Sequence, residues 1–163
     1  MSEVGIICKE CNIAKSCSRF KLLNLSDGGQ YNSNELSHCT LLYVYNGKIN
    51  VCHHDMSYTV SSNELSIIGF DKSYTIKSEG VSTVMLFFPI DANIKTDILH
   101  IPNRKSKYAT TKLNQHVYRC SSLISDLYSN LYELIKINFI SMDLLKVKEH
   151  ELWLLLKTTM KPE

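Results

Sequence analysis

The sequence has almost no net charge. Eighteen lysines and arginines stand against sixteen aspartates and glutamates, well mixed along 163 residues, for a formal net charge of +2. Binding to a phosphate backbone needs a basic patch or stripe, and this balance supplies none. Also missing is a run of about 18 apolar residues that could cross a membrane. The first residues lack the basic and apolar regions of a secretory leader, so a cytoplasmic protein is expected. There is no glycine-rich phosphate loop, since Asp27-Gly28-Gly29 reads as a turn.

A second matched pair of metal-spaced cysteines is absent as well. Cys8, Cys11 and Cys17 cluster near the start, while Cys39, Cys52 and Cys120 are scattered. Disulfides are not expected in a reducing compartment. Cys8 and Cys11 have the spacing of half a zinc site, which Cys17 with His38 or Cys39 would complete. One such pair does not specify zinc. Small thiols that behave as buried hydrophobes account for the same residues.

What is present begins at Leu41–Val51, two β-branched and aromatic runs flanking Asn46-Gly47. That dipeptide is the preferred centre of a type I′ turn, so a two-residue hairpin is expected. The register would pair Tyr45 with Lys48, Val44 with Ile49, and Leu42 with Val51. Leu42, Val44, Ile49 and Val51 then form one apolar face, and Thr40 meets His53 on it one step further out.

Around this unit the chain reads as short strands broken by turn chemistry. Residues 1–18 have enough apolar side chains for one short strand, and Arg19–Leu25 reads as another. The polar Tyr31–Glu35 reads as a loop. Ser57–Val60, Glu64–Ile68, Tyr74–Lys77 and Val81–Pro89 are expected strands, separated at His54-Asp55, Ser62-Asn63, Gly69–Ser73 and Ser78-Glu79-Gly80. Strands spaced about ten residues apart argue for a closed or double-sheet β architecture.

After Ile101-Pro102 the period changes. Leu113, Val117, Cys120, Ile124, Leu127, Leu131 and Leu134 recur at steps of four and three, the stripe of a helix. A second helix is expected from a Ser141 N-cap, through Asp143, to Lys157, with Leu145, Leu152 and Leu156 on one face. The first helix is apolar on more than one side. A homodimer interface along Leu113, Val117, Cys120, Ile124, Leu127 and Leu131 is therefore expected, packing on the chain's own barrel being the alternative.

The β pattern of Leu41–Val51, Tyr58–Val60 and Asn63–Ile68, with the helix Lys146–Lys157, resembles the cupin barrel. More narrowly, it resembles the amino-terminal ligand-binding and dimerisation domain of AraC-type transcriptional regulators of the Bacteroides type. The resemblance implies a mainly β, α+β fold: a cupin-like (jelly-roll) barrel over residues 1–102, with two helices for linkage and dimerisation over 103–163. It implies an effector-binding regulatory domain that works as a homodimer. DNA would be reached only through a helix-turn-helix part that does not follow Glu163 in this sequence.

Against the metal-binding cupin motifs the ligand positions are substituted. With Gly47 ending the first motif, its glutamate falls on Thr40 and its histidines near Ser33 and Glu35. In the second, Ser62, Ile68, Phe70 and Ser73 replace a glycine, the proline, a glycine and the histidine. A frame opened by Gly47 recovers His53 but puts Asp55 at the second histidine. Hydroxyls are poor ligands for a divalent metal. No metal or other cofactor and no catalytic residue are therefore expected. The neighbouring pairs Cys52-His53 and His38-Cys39 point to opposite strand faces and do not make a nucleophile. The alternative function is a metal-dependent cupin enzyme, a sugar isomerase or dioxygenase. For a small-molecule effector, the expected contacts are Thr40, His53, His38 and Tyr74, polar groups entering an apolar interior.

Overall fold

Two strands of fourteen residues, Thr40–His53 and Tyr74–Phe87, carry the fold and pair antiparallel along most of their length. In this computed structural model the described residues are 2–6, 20–33, 39–53, 55–69, 73–88, 110–114, 116–139 and 141–159. Strands are numbered in chain order: β1 Ser2–Ile6, β2 Phe20–Leu25, β3 Gln30–Ser33, β4 Thr40–His53, β5 Met56–Ser61, β6 Glu64–Ile68, β7 Tyr74–Phe87, β8 Thr111–Lys112 and β9 Val117–Arg119. Two helices follow, α1 Ser122–Lys136 and α2 Met142–Thr159. The main path of the sheet runs β1-β2-β7-β4-β6-β9-β8, with β3 beside β7 and β5 beside β4, and every pairing is antiparallel. No helix among the described residues is long and apolar enough to cross a membrane.

The Asn46-Gly47 hairpin is not formed. The strand continues through both residues, and Gly47 takes φ +94° inside β4, where the register to β7 shifts. A hairpin and a one-residue bulge switch side-chain parity in the same way, so the apolar face is still Leu42, Val44, Ile49 and Val51. The opposite partners are different. Thr40 pairs with Ile68 of β6, and His53 with Met56 of β5. The bulge is held by hydroxyls: Gly47 N donates to Ser62 Oγ at 2.9 Å and Lys48 N to Ser82 Oγ at 3.2 Å. A Cβ on Gly47 would come within 2.5 Å of Ser82 Oγ and 2.6 Å of the Val81 carbonyl.

The expected turn at Ser78-Glu79-Gly80 is likewise an irregularity within β7, with Gly80 at φ +73°. The expected loop at Tyr31–Glu35 is in its first part β3, paired to the beginning of β7. The strand expected at Glu64–Ile68 is β6, residue for residue.

Two cores lie on the two faces of the sheet. One gathers Leu23, Leu25, Leu42, Val44, Ile49, Val51, Val60, Ile76, Val84 and Leu86 on the concave side. The other lies beneath the helices and joins Leu41, Tyr43, Leu65, Met85 and Phe87 to Ile124, Leu127, Tyr128 and Leu131 of α1 and Leu145, Leu152, Trp153 and Leu156 of α2. Tyr43 stacks on Tyr128, ring centroids 3.8 Å apart and planes 2° from parallel.

The helical stripe does not begin at Leu113. Val117 belongs to β9, and α1 starts only after Ser121, whose hydroxyl caps it by accepting from Ile124 N. The helix ends in a Schellman arrangement: Asn138, at φ +59°, donates to the Ile135 carbonyl, and Phe139 to that of Leu134. Ser141 caps α2 as expected, accepting from Leu144 N at 3.2 Å. Its face of Leu145, Leu152 and Leu156 is fully buried.

Candidate functional site

Strand alternation puts Ile49, Val51 and His53 on the concave face of β4, and Tyr74 and Ile76 on that of β7. Cys52 pairs with Thr75 at the end of the β4–β7 ladder, and His53 and Tyr74 are the next residues of the two strands. Tyr74 also donates to Thr40 Oγ1, at the opposite end of β4, over 3.3 Å. One side chain thus spans both ends of a fourteen-residue strand, which requires β4 to curl sharply, and the Gly47 bulge lies between those ends. Thr40, His53 and Tyr74 are all nearly inaccessible to solvent.

Thr40, Tyr74 and His53 share one face, but Thr40 and His53 are not the cross-strand partners expected from the sequence. His38 lies outside the described residues, as do Cys8, Cys11 and Cys17. Cys39 and Cys120 are buried, and Cys52 is exposed, with His53 on the opposite face of the strand. Burial raises the Cys120 thiol well above its ordinary range.

Two residues complete this end of the interior that the sequence reading did not single out. Tyr58 of β5 meets the His53 ring edge-on, centroids 5.8 Å apart, and its hydroxyl lies 2.7 Å from Ser66 Oγ. His116 stacks on Tyr58 at 4.8 Å and stands perpendicular to His53 at 6.0 Å. The turn before β9 places His116: Asn114 Oδ1 accepts from His116 N at 2.8 Å and from Val117 N at 3.0 Å. Tyr58 could have been found by parity, because it shares the face of the buried Val60. His116 follows a short polar turn with no periodicity to read.

Burial raises the Tyr58 phenol above its ordinary range, against the opposing effect of the Ser66 hydrogen bond. The set is thus two hydroxyls, two neutral phenols and two imidazoles. Among the described residues, no group of three His, Cys, Asp or Glu side chains is placed to hold a metal ion.

The residues expected at a dimer interface are placed differently. Val117, Cys120, Ile124, Leu127 and Leu131 are buried in the chain's own cores, and Leu113 is 41% exposed. The stripe has its partner within the subunit, because β9 and α1 fold it onto β4, β6 and β7.

No family model matches the chain, and no curated protein does either. Among solved structures, it is similar to a cupin superfamily protein from Desulfitobacterium hafniense DCB-2, at 15% identity and a TM-score of 0.45, covering 55% of this chain and 79% of that one. A cupin-2 domain containing protein from Shewanella frigidimarina NCIMB 400 gives 15% and 0.39, covering 43% and 68%. A variant of oxalate decarboxylase from Bacillus subtilis gives 13% and 0.44, covering 53% of this chain and 24% of that one. Two long central strands, an antiparallel sheet curled about its own core and two helices behind it make this a mainly β, α+β fold, as expected from the sequence.

Proposed function

We propose that this domain binds a small molecule at the polar end of its interior and serves regulation rather than catalysis, as the effector-binding part of an AraC-type regulator. The observation that carries the reading is the Tyr74–Thr40 hydrogen bond on the same face as His53, Tyr58 and His116: polar groups gathered among otherwise apolar side chains. Residues of β4 alternate between the two cores. Leu42 and Val44 line the concave side, while Leu41 and Tyr43 support α1 and α2. A ligand that shifts the wall of the interior therefore acts on the helix platform through the same strand. Such coupling works to the extent that the ligand binds one helix arrangement better than another.

Dimerisation belongs to this proposal through a surface other than the heptad stripe. Among the described residues, the exposed Leu123, Ile137, Phe139, Val147 and Leu154 of the helical layer are the large apolar side chains left for it. Sedimentation equilibrium of the parent and of a Phe139→Ser/Leu154→Ser double variant tests this. A dimer that survives both changes removes that surface.

The binding test is a small-molecule screen by thermal shift on the parent, His53→Ala and Tyr74→Phe. Hits should raise the parent's Tm and lose most of that effect in both variants. Stabilisation unchanged by either substitution would move the ligand away from this end.

A further inference from the structure

The main path of the sheet ends on β8, an edge strand of two residues. β8 is half of a hairpin: Thr111 pairs with Arg119 and Lys112 with Tyr118, and Leu113 N donates to the Val117 carbonyl at 2.8 Å. A pairing this short adds little by itself. Among the described residues, other elements fix the hairpin at both ends. At the turn, Asn114 Oδ1 accepts from the amides of His116 and Val117, and the His116 ring lies on Tyr58 of β5 with planes 15° apart. At the open end, Thr110 N donates to the Thr159 carbonyl at 2.7 Å, and the two threonine hydroxyls lie 2.8 Å apart. Thr159 is the last residue of α2, where carbonyls have no partner within the helix. Its hydroxyl already donates to the Leu155 carbonyl at 2.7 Å, so between the two hydroxyls Thr110 is the donor. Both threonines are buried, and the end of α2 is thus held by the residue just before β8.

We propose that the β8–β9 hairpin is a conformational lever between the polar face around Tyr58 and the last turn of α2, so that releasing one of its ends loosens the other. Thr110 and Asn114 are about 13 Å apart along an extended chain, too far for direct contact. Coupling over such a distance needs a packed element that both ends can bias. β9 provides it: Val117 lies in the concave core and Tyr118 in the core beneath the helices, while the strand pairs with β6 from Glu64 to Ser66. The lever goes beyond the coupling through β4 described above. Only its use by a ligand rests on the small-molecule reading.

Amide hydrogen exchange of the full chain, followed by NMR without any ligand, tests this. His116→Ala takes the ring off Tyr58 at a half-buried position where the fold should persist. It should speed exchange of the Thr110 amide and of the last turn of α2, Leu156–Thr159, by about tenfold or more. Asn114→Ala, at an exposed position, loosens the same turn and should do likewise. Thr110→Val deletes the hydroxyl bond at the other end and should speed exchange at Leu113 and Val117. In all three variants the amides of Leu23 in β2 and Leu145 in the first turn of α2 should keep the parent's rates. Unchanged exchange at Thr110 and the last turn of α2 in His116→Ala and Asn114→Ala would overturn the proposal. So would equal acceleration of every amide, because the substitutions would then act through the stability of the whole fold. A thermal-shift screen without hits removes the ligand reading and leaves an observed lever standing. Hits that depend on His53 and Tyr74, with the parent's exchange at Thr159 in His116→Ala, leave the ligand and remove the lever.

Discussion

The two halves of β4 are the same strand in different surroundings. From Thr40 to Val44 every residue is buried, Leu41 and Tyr43 under the helices and Leu42 and Val44 on the concave side. Beyond Gly47 only alternate residues are covered: Ile49, Val51 and His53 point inward, while Lys48 and Cys52 face solvent. β7 repeats the contrast in reverse, open near Thr75 and Lys77 and covered on both faces from Val84 to Phe87. The open half shows a polar lattice, with Asn50 donating to Glu79 and Thr59 to Asn50, both at 2.8 Å. Exposed polar pairs of this kind contribute little, whereas each large apolar side chain buried on the covered half contributes about 1.5–3 kcal/mol. Stability is thus concentrated at the helix end, and the open half is left to position His53, Tyr58 and Tyr74.

The largest effect should come from the covered half. Ile124→Asn and Leu127→Asn each remove a buried aliphatic chain and bury an amide, at a cost on the order of 3–8 kcal/mol. Together they reach the whole stability of an ordinary domain, about 5–15 kcal/mol. Circular dichroism and light scattering should show unfolding, not a folded monomer. A clean, folded monomer would mean that these residues hold two subunits together. The matching change on the open half, Thr59→Ala, should stay within about 0.5 kcal/mol by denaturant titration.

Gly47→Ala comes next, because it attacks the junction between the halves. The added methyl meets Ser82 Oγ and the Val81 carbonyl, and φ +94° is itself unfavourable for alanine. Left-handed strain of roughly 1–2 kcal/mol and overpacking of roughly 1–3 kcal/mol give a total of about 2–5 kcal/mol. A loss of ligand stabilisation beyond the loss of fold would show that the bend sets the distance between Thr40 and Tyr74.

What the sequence made legible follows from how many structures share one pattern. The face of Leu145, Leu152 and Leu156 could be read because only a helix brings those positions together. β6 could be read because turn residues bound it on both sides. Asn46-Gly47 and Ser78-Glu79-Gly80 were ambiguous, because a glycine at positive φ serves a bulge as well as a turn. Both give the same parity, so Thr40 and His53 were placed on one face through the wrong partners. The stripe from Leu113 joined residues of a strand to those of a helix: Val117 is in one core, and Ile124 is in the other. Their spacing alone does not show that the period changes at Ser121.

Tyr43→Phe should have a moderate effect, visible mainly in alkali. Burial pushes the Tyr43 phenol up to about 12, against a lowering hydrogen bond from Ser125, and burial raises Tyr128 as well. An unfolded tyrosine ionises near pH 10, so the folded state holds its proton where the unfolded state has lost it. The resulting stability is complete below pH 10 and declines as pH rises from 10 toward 12. At neutral pH the variant loses the bond from the Tyr43 hydroxyl to Asn63 Oδ1, 3.1 Å long, at a cost of about 0.5–1.5 kcal/mol. Denaturant titrations at pH 7, 10 and 11 should show the parent losing stability faster than Tyr43→Phe over the last step. Equal losses would place the alkaline sensitivity elsewhere.

The smallest expected effect tests most directly how the two halves are joined. In a type I′ turn both central residues need positive φ, so Asn46→Ala would cost roughly 1–2 kcal/mol. In the bulge only Gly47 has positive φ; Asn46 is exposed and is not among the non-glycine residues with positive φ, which are Asn63 and Asn138 among the described residues. Asn46→Ala should therefore change stability by less than about 0.5 kcal/mol, as at other surface positions. Asn63→Ala is the internal control, since Asn63 does take φ +64° in the β5–β6 turn and its side chain bonds to Tyr43 and to the Cys120 carbonyl. Denaturant midpoints should rank Gly47→Ala as the most damaging, Asn63→Ala next and Asn46→Ala near the parent. If Asn46→Ala proved as costly as Asn63→Ala, β4 would be two strands around a turn, and the curl that joins Thr40 to Tyr74 would need another origin.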